Sequence, residues 1–212
     1  MSGFQAYNTY GNIVVDSEQK GTVISSLIPQ GNVEVTGYLI PTAFGDGRSL
    51  GFMVQGDFLF QPGLVWCRFT RDSYCFPGAE LFEPNSVQFM RTSVNGTVQS
   101  GYLDVFNGQG TLIWSAAGAG TMPRVFDHLV IPQGYNLQGQ VISKNLGWSP
   151  WFLLSGLPGN VSESEAMGFS GFLLRYTNGN IQVTYAAQYQ DGYPQATNQQ
   201  LLRIPLAVFT GY

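Results

Sequence analysis

His128 is the only imidazole in the chain, so any Ser-His-Asp arrangement would have to pass through it. Its neighbour Asp127 cannot orient it from within a strand, because adjacent strand residues point to opposite faces. His128 is therefore read as a structural strand residue. Two carboxylate pairs have spacing that glycoside hydrolysis could use, Glu80 with Glu83 and Glu163 with Glu165. Both fall in expected loops among polar or turn-forming neighbours, where solubility explains them. Asp46-Gly47 and Asp191-Gly192 each offer one acid, short of the oxygen cluster calcium needs, and read as turns. Cys67 and Cys75 flank Arg-Phe-Thr-Arg-Asp-Ser-Tyr. On a hairpin they would face each other and could bridge; in a reducing compartment two partly buried thiols are the expectation. Two cysteines and one distant histidine do not make a structural zinc site. Neither a Gly-x-Ser-x-Gly elbow nor a Gly-x-x-x-x-Gly-Lys phosphate loop occurs. No catalytic, cofactor or metal residue is assigned, and the chain is not expected to be an enzyme.

Aromatic rings are the better candidates for binding. Trp148, Tyr189 and Tyr193 lie in or near expected loops, where rings stack on sugar faces or anchor a protein partner. Trp151 and Phe152 are assigned instead to the core end of a sheet.

The elements that must position these residues are short strands. Charged residues make up 10% of the 212-residue chain, far below the usual quarter, so Asn, Gln, Ser, Thr and backbone must wet the surface. The 27 glycines and 11 prolines break the chain too often for long helices. A net charge of −4 with scattered basic residues excludes a nucleic-acid-binding face. No apolar run reaches the length of a membrane-spanning helix, so no membrane insertion is expected. The N-terminus lacks a basic start followed by an apolar stretch, which points to assembly in a cytoplasm.

One phrase recurs. It opens the chain as Gly3-Phe4-Gln5-Ala6-Tyr7-Asn8-Thr9-Tyr10-Gly11-Asn12-Ile13-Val14-Val15. It returns from Gly101 to Trp114, and a shorter echo runs from Gly171 to Val183. Each is an apolar run, an Asn/Gly turn and a second apolar run, which is how a β-hairpin is written. Two copies are followed by the same closing words, Leu27-Ile28-Pro29-Gln30-Gly31 and Val130-Ile131-Pro132-Gln133-Gly134. Further strands are expected over 23–28, 33–40, 50–54, 57–60, 63–69, 86–94, 125–131, 138–143, 151–154 and 201–209. Gly45-Asp46-Gly47 is a turn, residues 79–82 form one helical turn stopped by Pro84, and 191–198 is a polar loop. The fold class is all-β, an antiparallel β-sandwich built from repeated hairpins, with jelly-roll-like and Ig-like topologies both open. A single sandwich over 1–212 is the first expectation. Two similar β domains, 1–97 and 98–212, are the alternative.

The phrase Gly3-Phe4-Gln5-Ala6-Tyr7-Asn8-x-x-Gly11, with Val15-Asp16-Ser17 after it, resembles the N-terminus of small virion proteins from the tail region of tailed bacteriophages. Val105-Phe106-Asn107-Gly108-Gln109-Gly110-Thr111-Leu112-Ile113-Trp114-Ser115-Ala116-Ala117, followed by residues 122–127, is similar to the same family. The resemblance covers about a third of the chain and concerns hairpin phrasing. It implies a largely β structural protein near the tail tip or a fibre, and it carries over no active site. The partners it implies are other tail proteins and copies of the chain itself, with a host-surface glycan or protein as a secondary partner. The rivals are a free carbohydrate-binding module or lectin, a glycan-cleaving depolymerase, and a capsid or neck decoration protein.

Overall fold

The computed structural model describes residues 5–7, 9, 11, 13–16, 20–30, 33–40, 48–53, 62–162 and 168–212. The expected turn at Gly45-Asp46-Gly47, the strand at 57–60 and the Glu163/Glu165 pair lie outside them.

Eighteen strands and one five-residue helix are described. Two ribbons stand apart from the main sheets: β1 (Gln5–Tyr7) with β2 (Ile13–Asp16), and β10 (Asp104–Phe106) with β11 (Leu112–Ser115). The six-stranded sheet uses β3 (Val23–Pro29), β6 (Leu64–Phe69), β9 (Val87–Ser93), β12 (Arg124–Ile131), β14 (Trp151–Leu153) and β18 (Leu202–Val208), in the order β12-β18-β14-β6-β9-β3. The second sheet uses β4 (Val33–Ile40), β5 (Arg48–Met53), β7 (Ser73–Phe76), β8 (Leu81–Phe82), β13 (Ile142–Asn145), β16 (Gly168–Thr177) and β17 (Asn180–Gln188), ordered β13-β17-β16-β7-β8-β5-β4, with β15 (Gly159–Ser162) beside β16. All pairings between the described strands are antiparallel, as expected of an antiparallel sandwich.

The sheet orders contain a duplication. With β4 and β15 set aside as unmatched, the first half contributes in chain order β3, β5, β6, β7, β8 and β9, and the second β12, β13, β14, β16, β17 and β18. Both sets enter the sheets in the same alternation, and within each sheet their positions mirror each other across the central β6–β14 and β7–β16 pairs. A two-fold relation perpendicular to the sheets gives this pattern, because it turns a strand into an antiparallel neighbour. The ribbons repeat too. Gln5 pairs with Asp16, Ala6 with Val15 and Tyr7 with Ile13; Asp104 pairs with Ser115, Val105 with Trp114 and Phe106 with Leu112. The register slips at the same step in both, and Gly11 and Gly110 hold φ of +78° and +77° in the two turns. The third phrase differs: its hairpin, β16–β17, lies inside the second sheet and turns at Asn178-Gly179 with positive φ at both residues, the I′ geometry this dipeptide favours.

The central core draws on both halves. Val65, Phe89, Phe152, Leu174, Val183 and Leu206 face one another between the sheets. Trp66 and Trp151 lie on the other face of the six-stranded sheet, each edge-on to Phe209 at 5.8 Å. Burying rings on a period-two pattern from both sheets is the main source of stability, at about 1.5–3 kcal/mol per large apolar side chain.

Three sequence expectations are corrected. The helical turn lies at Pro77–Ala79, and Leu81–Phe82 is strand β8. Residues 138–141 are outside the strand expected there, which covers only Ile142–Asn145, apart from an isolated bridge at Gln138. The polar loop at 191–198 contains helix α1 (Tyr193–Thr197). Gly192 precedes it, Pro194 sits in its first turn and Asn198 closes it in the left-handed conformation. This Pro-then-Asn punctuation is the sequence signal that could have revealed it.

Candidate functional site

Both ribbons carry an exposed aromatic ring. In the second, Asn107 builds the turn: its side-chain oxygen accepts from Gln109 N (3.1 Å) and Thr111 N (2.8 Å), and its carbonyl accepts from Gly110 N (3.0 Å). At the base, Asp104 accepts from Gly101 N (3.0 Å) and the Ser100 hydroxyl (2.5 Å). These bonds, the Gly101 amide foremost, hold the Asp104 carboxyl below its ordinary value. Leu112 and Trp114 turn inward onto Val23, Val98 and Met122. Tyr102, Leu103 and Phe106 face solvent, as does Tyr7 at the matching place in the first ribbon. The second ribbon is thus a locally fixed hairpin, and each ribbon offers an exposed ring.

The three candidate binding rings do not form one site. Trp148 is 42% exposed and lies 5.4 Å from Phe126. Its loop is pinned where Leu146 N and Gly147 N donate to Gly179 O (2.9 and 3.0 Å), and Phe69 N donates to Ser149 Oγ (3.1 Å). Tyr189 is 76% exposed and left-handed at φ +56°. It follows β17, whereas the Trp148 loop meets the turn that begins β17; a strand of that length separates them by about 30 Å at ~3.3 Å per residue. Tyr193 is removed as a binding ring. It is fully buried, with Tyr185 at 5.3 Å and Phe172 at 6.2 Å. The helical turn at α1 rotates it into the core, where an extended loop would have left it in solvent. Trp151 and Phe152 lie in the core as expected.

The titratable groups singled out in the sequence also find structural places. Glu83 is buried and accepts from the Ser73 hydroxyl (2.6 Å), with Arg71 Nη1 3.6 Å from the same oxygen. Glu80 is a turn residue with φ +54°. Asp127 accepts from its own neighbour's amide, His128 N (2.7 Å), and its other oxygen lies 2.6 Å from Lys144 Nζ. Cys67 and Cys75 are free and fully buried on β6 and β7, strands of different sheets and not of one hairpin. Burial pushes both thiols well up, and the neighbouring Cys75 adds to the effect at Cys67. Among the described residues no three His, Cys, Asp or Glu side chains are grouped to hold a metal ion.

A cavity of about 390 Å³, missed by sequence reasoning, opens between the β14–β15 connection and the one from α1 to β18. Leu157, Phe172, Leu202 and Ile204 line it, with Ser155 and Arg203 among its polar groups. The matching corner of the first half is closed by Thr70 N donating to Ser86 O (2.9 Å) and by the Ser73–Glu83–Arg71 cluster. Its lining holds the hydroxyls of Ser155 and Thr197 but no histidine or carboxylate beside them.

A family model described as a domain of unknown function (DUF8377) matches residues 1–211. The chain belongs to that family. No curated protein and no solved structure matches it. The matched span takes in both ribbons and both duplicated strand sets. No helix among the described residues is long and apolar enough to cross a membrane.

Proposed function

We propose that the chain is a structural component of a bacteriophage virion, associated with the tail tip or a fibre. In this reading it packs against copies of itself and other tail proteins, and it contributes secondarily to host attachment. The observation that carries the reading is the behaviour of the resembling phrase. Both of its main copies fold as ribbons apart from the two sheets, in one register, each with an exposed ring. A hairpin fixed by its own turn, carrying Tyr or Phe outward, is a docking element that needs no rearrangement of the sandwich behind it. The low charge fits the same use, since a near-neutral surface limits repulsion between packed copies. Mass spectrometry of gradient-purified particles produced from the genome that encodes the chain tests it. The chain is expected at a stoichiometry of several copies per particle; particles free of it would refute the reading.

A further inference from the structure

Among the described residues, strands β3 and β12 close the two ends of the six-stranded sheet, and they are counterparts in the duplication. Each has a register shift after its second residue, Ile24/Ser26 in β3 and Val125/Asp127 in β12, so Leu27 and His128 hold equivalent positions. Their edges are finished differently. At β12 both backbone groups of His128 are engaged away from the sheet: its N–H donates to Asp127 Oδ1 (2.7 Å) and its carbonyl accepts from Lys144 Nζ (3.1 Å). The Lys144–Asp127 pair at 2.6 Å closes this cap. A strand arriving at β12 finds donor and acceptor taken and must break an ion pair to add, a recognised way to blunt an edge. At β3, Ser26 and Leu27 stand where β12 has Asp127 and His128, and neither side chain can form an ion pair. Val-Ile-Ser-Ser-Leu-Ile-Pro carries no charge, and Leu27 is 47% exposed.

We propose that the β3 edge is the docking surface for a second copy of the chain. Its own β3 lies antiparallel about a two-fold axis through Leu27, joining the two six-stranded sheets into one. The proposal rests on the homo-oligomeric part of the function proposed above. Two features select a second copy. An uncharged strand paired with itself sets no like charges opposite one another. And because strand direction alternates along the sheet, β3 and β12 run antiparallel, so translated copies would join β3 to β12 without end. An ion-pair cap on β12 alone forbids that open filament and leaves the closed two-fold pair.

Sedimentation of the full purified chain from nanomolar to high micromolar concentration tests this. The wild type is expected to reach twice the 23.2 kDa chain mass. Leu27→Lys and Leu27→Glu, each placing like charges across the axis, are expected to sediment as monomers alone and to recover the dimer when mixed. Val130→Lys on β12 should leave the dimer intact, and Lys144→Met, which removes the cap, should give species larger than a dimer. A wild type monomeric throughout, or Leu27 variants that each keep the dimer, would overturn the proposal. A Lys144→Met chain that stops at the dimer would overturn the blocking role of the cap. Particle composition is read separately, so a dimer absent from virions counts against the virion reading alone.

Discussion

Tyr7 and Phe106 occupy the same position in two ribbons: each ends the first strand at the step where register slips, and each ring faces solvent. The shared geometry extends inward, since six of the seven described strands that follow each ribbon enter the sheets in matching order, β4 and β15 being the exceptions. The chain therefore presents the ribbon twice from one core.

Close backbone packing fixes one prediction. A Cβ on Gly159 would lie 2.9 Å from Gly78 Cα, and one on Gly78 would lie 2.3 Å from Gly159 N. Gly159→Ala must therefore push β15 off the Pro77–Ala79 turn, at an expected cost of about 1–3 kcal/mol from overpacking. Gly110→Ala meets nothing within 4 Å and pays only for its φ of +77°, about 1 kcal/mol. Urea denaturation of both variants checks the order; equal losses would contradict it.

The two cysteines give a second. They sit on facing sheets, which stack about 10 Å apart, beyond the roughly 4.4–6.8 Å Cα separation of a disulfide. Both thiols are expected to stay reduced in air and to resist a thiol reagent in the folded protein. Full reaction should come only after denaturation, because burial disfavours the reactive thiolate. Rapid modification of the native chain would contradict this.

The corner at Glu83 gives a third. Glu83→Leu strands the buried Ser73 hydroxyl and is expected to lose about 1–3 kcal/mol. Arg71, half in solvent, should cost at most about 1 kcal/mol when changed to Ala. Thermal melts of the pair test it; a larger loss for Arg71→Ala would reverse the assignment.

Acid sensitivity gives a fourth. Burial, then the Arg203 charge, lowers the His128 imidazole; Asp127 opposes them and Lys144 adds to them. The folded state thus favours the neutral ring and loses stability as pH falls through the ordinary imidazole value near 6.5. Burial raises the Asp127 carboxyl, but hydrogen bonds from Lys144 and His128 N–H outweigh it and hold the group low. Its contribution is present above the ordinary carboxylate value and is lost as pH falls through the folded one. Denaturation midpoints should therefore drop from pH 7 to 5, and again below about 4. His128→Gln should flatten the first drop, and NMR titration of Lys144→Met should find Asp127 raised. A flat profile in the wild type would contradict both assignments.

The exposed rings give a fifth. Trp148→Ala and Tyr189→Ala remove surface rings about 30 Å apart, so each is expected to keep wild-type stability. Adsorption of labelled protein to host cells should fall by about tenfold for the ring that touches a receptor, the effect of losing ~1.4 kcal/mol of contact. Unchanged adsorption in both variants would locate attachment elsewhere, with the ribbons next to be tested.

What the sequence made legible was local. The second ribbon could be read because Asn107 and Gly110 make its turn from within five residues, so no distant partner is needed. Trp151 and Phe152 could be assigned to the core from ring type and strand context. Cys67 and Cys75 could not be placed, because sheet membership depends on β14, β9 and β16, far away in the chain. Tyr193 was misplaced since polar neighbours masked a short helix whose Gly-Tyr-Pro opening and Asn198 close were its only local signs. The cavity at Phe172 and Arg203 was invisible, as it arises where one duplicated corner lacks the polar cluster that fills the other.

Immunogold labelling of purified particles with an antibody to the ribbon around Phe106 tests the central claim most directly. The account predicts gold confined to the tail end of intact virions. Gold found only on free protein, with every particle bare, would contradict it.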